Sequence, residues 1–192
     1  VIMSNYFSYF PTTPHDVRNT GRKTIATNIL RRFKVRDSLS ERTDVFYEYS
    51  IQEGDRPDVI AEKFYGNANY AWVVLHYNNI IDPQFDWPLF GRDFDRFIIG
   101  KYGSIQSAVT TIKNYYKIIR AATVKNDGTR LEAYEVIVDE TTYNSLSPSQ
   151  RRSETQYDWE VEQNEARKQI RLLEPRYLSK VIDEVETILQ EA

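Results

Sequence analysis

Tyr47-Glu48-Tyr49-Ser50-Ile51-Gln52-Glu53-Gly54-Asp55-Arg56-Pro57-Asp58-Val59-Ile60-Ala61 holds a strand, a turn and the first turn of a helix. Val45, Tyr47, Tyr49 and Ile51 alternate with Phe46, Glu48 and Ser50, the period of a strand with two unlike faces. Gly54-Asp55 makes the turn. Pro57 suits the first helical position, where its missing N–H costs nothing, and Asp58 in the first turn favours the helix dipole. Ile60, Ala61 and Phe64 have helical spacing, and Gly66 after Tyr65 ends the helix as a left-handed cap. Asn67 or Asn69 caps a second helix carrying Tyr70, Trp72, Val73, Val74, Leu75 and Tyr77, apolar nearly all round and so buried on more than one side. Asn78 and Asn79 stop it, and Asp82-Pro83 and Asp86-Trp87-Pro88 form turns.

Working outward, residues 1–46 read as an extended arm. Tyr6, Phe7, Tyr9 and Phe10 crowd together ahead of Pro11 and Pro14, with no sustained period. Two readings stand: a solvated leader, as termini often are, and an arm that orders on a partner, because four aromatic rings are costly to leave in water. Residues 1–50 hold eight basic and five acidic side chains, a local excess of +3 in a chain of net charge -3. Arg31, Arg32 and Lys34 lie in this stretch and suit steering toward acidic neighbours.

C-terminal to the quoted block, residues 92–146 predict helices followed by a β-hairpin. Phe94, Phe97 and Ile98 form one stripe, Gly100 and Gly103 interrupt it, and Ser104 caps a second piece. Asn126-Asp127-Gly128 is a turn signal between apolar runs, with Tyr134, Val136 and Val138 on the return strand. Residues 147–192 predict C-terminal amphipathic helices broken near Pro175. Trp159, Ala166, Ile170 and Leu173 fall on one helical face, and Tyr177, Leu178, Val181 and Ile182 continue at threes and fours. The fold class is therefore α+β: a strand and two helices over residues 47–91, flanked by an arm, a hairpin and terminal helices.

Composition narrows function. The 192 residues include no cysteine and two histidines, His15 and His76, in separate segments, so neither disulfides nor a zinc site are expected. No run approaches the roughly 18 apolar residues of a spanning helix, and no basic-then-apolar leader opens the chain, so neither a membrane span nor a secretory signal is expected. A pI of about 5.5 gives no basic footprint for nucleic acid. No Gly-rich phosphate loop and no Gly-x-Ser-x-Gly elbow occur. No catalytic residue, metal or cofactor is assigned. The 26 aromatic residues suit buried, partly wet contact surfaces.

The residues from Tyr47 to about Pro88 resemble a LysM module, which implies a small βααβ module over residues 47–91. An aromatic-led strand with Tyr49 is followed by Gly54-Asp55 and Pro57, by Ile60-Ala61 one turn into a helix, by Tyr65-Gly66, by Trp72 in the second helix, and then by Asn78 and Pro83. The segment Asp86-Trp87-Pro88-Leu89-Phe90 stands where such a module would close with its second strand. Over nearly the whole chain, Gly54-Asp55-Arg56-Pro57, Tyr65-Gly66-Asn67, Tyr70-Ala71-Trp72-Val73, Asp82-Pro83, Trp87-Pro88 and the stretch Asn164 to Arg171 resemble the LysM-containing baseplate wedge protein of contractile-tailed bacteriophages. The resemblance implies a structural component of the virion tail baseplate, assembled in the host cytoplasm. It implies partners among other wedge proteins, neighbouring wedge copies, and hub and sheath-initiator proteins, and it implies no catalysis. On that reading Tyr6, Phe7, Tyr9, Phe10, Arg31, Arg32, Lys34, Ile170, Leu173, Tyr177, Leu178, Val181 and Ile182 form the partner interface. The alternative is a peptidoglycan-binding module with a groove of Gly54, Asp55, Arg56, Asn78, Ile80 and Ile81. A cell-wall hydrolase is a third reading, with no residue singled out.

Overall fold

A computed structural model of the chain describes residues 6–31, 33 and 45–191. In chain order these form β1 (Thr12–His15), β2 (Thr24–Thr27), β3 (Phe46–Ser50), α1 (Pro57–Tyr65), α2 (Ala71–Tyr77), α3 (Pro83–Asp86), α4 (Gly91–Tyr102), α5 (Ile105–Thr110), β4 (Ile112–Arg120), β5 (Thr123–Val124), β6 (Arg130–Leu131), β7 (Tyr134–Val138), α6 (Glu140–Ser145), β8 (Arg151–Thr155), α7 (Gln156–Lys168), β9 (Gln169–Leu173) and α8 (Leu178–Glu191). Short 3-10 turns lie at Tyr6–Tyr9, Ala68–Tyr70, Pro148–Gln150 and Pro175–Tyr177. The class is α+β. Contacts divide the chain into two compact units, Val1–Trp87 with Arg167–Ala192, and Pro88–Ala166.

The first unit is built on the βααβ order, but its closing strand comes from far along the chain. β3 pairs antiparallel with β9, Tyr49 opposite Ile170 and Phe46 opposite Leu173. Ile51 N–H donates to Lys168 O and Glu174 N–H to Val45 O, extending the ladder at both ends. This corrects the helical reading of Ile170 and Leu173. Gln169-Ile170-Arg171-Leu172-Leu173 contains good helix formers, yet an open strand edge and a core needing Ile170, Leu172 and Leu173 outweigh a propensity of only tenths of a kcal/mol per residue. It also corrects the place of closure: Asp86 ends α3, and Trp87 and Pro88 follow in extended turns.

Between β3 and β9 the local signals act as the residues dictate. Gly54 takes φ 87°, a conformation strained for a side-chain-bearing residue, and turns the chain after β3. Pro57 opens α1, and Gly66 at φ 72° closes it with its N–H donating to Glu62 O. Asn67 accepts from Asn69 N–H at the entry to α2. The faces carrying Ile60, Ala61, Val73 and Val74 are fully buried.

The described N-terminal residues, 6–31 and 33, do not form an extended arm. Tyr6–Tyr9 form a 3-10 turn, and β1 and β2 pair as a hairpin with Thr12 opposite Thr27. Asp16 ties its loop, accepting N–H groups of Arg18, Thr20 and Gly21. Tyr9 and Phe10 are buried with Val45, Trp72, Tyr77, Leu173, Leu178, Val181, Val185 and Leu189 in one core. Aromatic and aliphatic burial there joins the chain's two ends to its middle. Strand β9, not a helix, precedes Pro175, and a 3-10 turn over Pro175–Tyr177 leads into α8, whose buried stripe is Leu178, Val181, Val185 and Leu189.

The second unit is a three-stranded antiparallel sheet of order β7-β4-β8 with helices beside it. The hairpin expected about Asn126-Asp127-Gly128 is β4 and β7, with β5 and β6 pairing near the tip. Two readings change. α4 continues through Gly100 and ends at Gly103, and Pro148 starts a single 3-10 turn before strand β8 rather than a long helix. Asn164 holds the chain at Leu89, accepting its N–H at 2.8 Å and donating to its carbonyl at 2.9 Å.

Candidate protein–protein interface

The Gly54-Asp55 turn is a tied polar knot. Asp55 is 7% exposed. Its carboxylate accepts from Tyr49 Oη at 2.7 Å, from Lys63 Nζ at 2.9 Å and from Gln52 N–H at 3.0 Å, while its carbonyl accepts from Trp87 Nε1 at 3.0 Å. Burial would raise its pKa, but the hydrogen bonds from Tyr49, Lys63 and Gln52 outweigh burial and hold it below the ordinary carboxylate value. The same bond to Asp55 is the main cause that pushes the Tyr49 phenol up to about 12. Arg56 pairs with Asp58. Asn78 binds the backbone of Arg171, accepting its N–H and donating to its carbonyl, each at 2.8 Å. Asp55, Arg56 and Asn78 thus spend their hydrogen-bonding groups inside the chain. Pro83 opens α3, capped by Asp82, and Ile81 beside it is 92% exposed. Ile80 is half-buried.

Trp72 gathers the aromatic residues of the N-terminal segment. Tyr6, Tyr9 and Phe33 have ring centroids 5.5, 6.0 and 6.0 Å from it, and Phe33 stacks on His76 at 4.2 Å. Burial raises the pKa of the Tyr6 phenol. Tyr65 packs against the same core and its phenol is likewise pushed up, mainly by burial.

Of the residues read as partner anchors, Tyr9, Phe10, Ile170, Leu173, Leu178 and Val181 are buried within the chain itself. Their hydrophobic demand is met by each other, which removes them from a free surface. Tyr6, Tyr177 and Ile182 are half-buried against that core. Phe7 is 52% exposed. Arg31 Nη1 donates to Leu189 O at 2.9 Å, near the C-terminal end of α8, where a cation suits the helix dipole. Arg32 and Lys34 lie outside the described residues.

The exposed apolar side chains are elsewhere: Val17, Ile25, Ile29 and Leu30 on the hairpin, Ile81 and Phe85 about α3, and Ile119, Tyr134 and Ile137 on the second unit's sheet. Of these, the sequence reading singles out only Ile81, as a groove residue, and Tyr134, on the return strand; Val17, Ile25, Ile29 and Leu30 lie in no sustained periodic stripe. The available signal for the hairpin residues is the reverse, aliphatic side chains set among Thr, Asn and Gly with no sustained strand or helix period.

The second unit holds two buried carboxylates in closed sets. Glu154 is buried, accepting from Asn114 Nδ2 at 2.9 Å and Tyr116 Oη at 2.8 Å, and Arg152 lies over the Tyr116 ring. Burial opposes its ionisation, but the bonds from Asn114 and Tyr116, with help from Glu162 and Arg152, keep its pKa lowered. Glu160 accepts from Lys101 Nζ at 2.7 Å and Tyr102 Oη at 2.6 Å; burial and then Glu160 push the Tyr102 phenol up to about 12. These sets fasten elements of one unit together. Among the described residues no group of three or more His, Cys, Asp or Glu side chains could hold a metal ion, and no helix is long and apolar enough to cross a membrane.

Buried carboxylates tie elements together within each unit while aliphatic side chains stand exposed on the hairpin, an arrangement suited to contact with other proteins. The family described as Base plate wedge protein 53 matches residues 7–188, and the chain belongs to this phage baseplate wedge family. No curated protein matches the chain. Family membership makes it a structural component of the virion tail baseplate.

Proposed function

We propose that the chain joins neighbouring wedges to one another and to hub or sheath-initiator proteins during tail assembly in the host cytoplasm. The family match over residues 7–188 supports this reading, because it spans both units and the hairpin rather than the βααβ module alone. Its working surfaces are the exposed apolar residues of the hairpin and of α3, together with Phe7. Arg31, Arg32 and Lys34 add positive charge for steering. Burial of these aliphatics on other baseplate subunits supplies the binding energy, at about 25 cal/mol per Å² of apolar surface before ordering costs. Mass spectrometry of crosslinked purified virions tests it. Crosslinks from the hairpin to several tail proteins support the reading, and crosslinks confined to this chain's own residues reject it.

The antiparallel β3–β9 pair with α1 and α2 between favours a second statement: the first unit is a LysM-like module kept as a scaffold. Asp55 and Asn78 serve its backbone, so it does not retain a glycan groove. Saturable pelleting with purified cell wall, competed by chitooligosaccharide, would overturn this.

A further inference from the structure

Two exposed patches of the first unit are complementary in both charge and apolar character. The hairpin segment, residues 11–31, presents Val17, Ile25, Ile29 and Leu30 to solvent, the last 86% exposed. Its charged residues are Arg18, Arg22, Lys23 and Arg31 against the single acid Asp16, whose carboxylate is turned onto the loop's own N–H groups. β1 and β2 pair only with each other among the described strands. A lone two-stranded hairpin is at best marginally stable in water, so this one gains from any surface that covers it.

The second patch is the α3 corner, residues 78–87. Ile81 and Phe85 are exposed there, and the segment carries Asp82 and Asp86 and no basic residue. Asp82 caps α3 through Gln84 N–H, which fixes the corner in one shape. Arg167 Nη1 donates to Phe85 O at 3.1 Å, which leaves the corner with two carboxylates against one cation. A basic, aliphatic hairpin and a net acidic, apolar corner thus stand on one chain, at different places.

We propose that the hairpin of one copy docks on the α3 corner of a second copy, Ile25 and Leu30 packing against Ile81 and Phe85 while Arg22 and Lys23 face Asp82 and Asp86. Two unlike patches make a head-to-tail contact, which propagates from copy to copy and closes into a ring or continues as a chain. This deepens the reading of the protein as a joiner of neighbouring wedges, and rests on it for the biological setting. Aliphatic rather than aromatic side chains beside the cations disfavour single-stranded nucleic acid, whose bases bind on stacked rings.

Analytical ultracentrifugation of the purified full chain tests the contact directly. The wild type is expected to associate as concentration rises to about 100 μM, and raising salt is expected to weaken association by screening the hairpin's cations. Two variants then separate the surfaces: Ile25→Ser with Leu30→Ser, and Ile81→Ser with Phe85→Ser. Each alone is expected to lose about tenfold or more in association, and a mixture is expected to form one-to-one dimers and nothing larger, because each pair retains one intact interface. All four positions are exposed, and an unchanged thermal midpoint for each variant confirms folding. A wild type that stays monomeric, a mixture that stays monomeric, or a monomer that binds anionic vesicles through the hairpin overturns the proposal. None of those outcomes bears on crosslinks to other tail proteins in virions, so its failure is distinguishable from failure of the wider reading.

Discussion

The side-chain amide of Asn78 takes the place of a neighbouring strand for Arg171, 93 residues away, accepting its N–H and donating to its carbonyl, each at 2.8 Å. Asn78 also donates to Val74 O at 2.7 Å, at the end of α2. One residue therefore finishes a helix and fastens the outer edge of β9. Asn78→Ala removes these bonds and returns the strand edge to water. The expected cost is about 1 kcal/mol for a partly exposed site, read as a lower thermal midpoint. Faster amide exchange at Arg171 distinguishes loss of this bond from general loosening.

How much of this was legible follows from where each signal resides. The turn at Gly54, the α1 cap at Gly66 and the capping of α5 by Ser104 depend on residues within a few positions, and these local signals coincide with the observed elements. The partner of β3 depends on a segment more than a hundred residues later. Gln169-Ile170-Arg171-Leu172 does alternate polar and apolar, but over only four residues, beside the helical spacing of Ala166, Ile170 and Leu173, and its pairing edge is supplied by β3. The anchors at Tyr9 and Phe10 failed for the same reason: sequence shows four clustered rings in want of cover, but Trp72 and α8 that cover them are distant.

Leu173 tests that long-range closure. It is 1% exposed, pairs opposite Phe46 and lies in the core with Trp72 and Leu178. Leu173→Ala is expected to cost about 2–5 kcal/mol. A helical reading of the segment predicts instead that alanine, the better helix former, is tolerated. Urea unfolding followed by tryptophan fluorescence decides between them.

Asp55 predicts the acid side of the stability profile. Its folded pKa lies below the unfolded value of about 3.9, because Tyr49, Lys63 and Gln52 outweigh the opposing burial. The stabilisation is therefore present above the unfolded value and is lost as pH falls through the folded one. Wild type should lose more stability than Asp55→Asn as pH is lowered below about 4, so their thermal midpoints should converge in acid. Parallel curves for the two proteins would show that the carboxylate is not the titrating group.

Glu154 predicts a cost confined to the second unit. Glu154→Ala leaves Tyr116 Oη and Asn114 Nδ2 without their buried acceptor, at about 1–3 kcal/mol. Amide exchange should rise across β4 and β8, whose register places Asn114 opposite Glu154, while β3 and β9 keep their protection. Equal loss in both sets of strands would contradict the division into two units.

Phe7 and Tyr9 separate burial from display within a single turn. Tyr9 is 4% exposed and its ring centroid lies 6.0 Å from that of Trp72; Phe7 is 52% exposed. Truncating a buried aromatic costs about 3–5 kcal/mol, so Tyr9→Ala should lower the unfolding midpoint of the isolated protein sharply. Phe7 retains contacts with Tyr6 and Phe10, at 5.4 and 6.1 Å between centroids, so Phe7→Ala should cost under about 1.5 kcal/mol. If the N-terminal turn instead waited for a partner before ordering, neither substitution would move the midpoint of the purified chain. The pair of melts thus tells a segment that belongs to the core from one that is finished only on assembly.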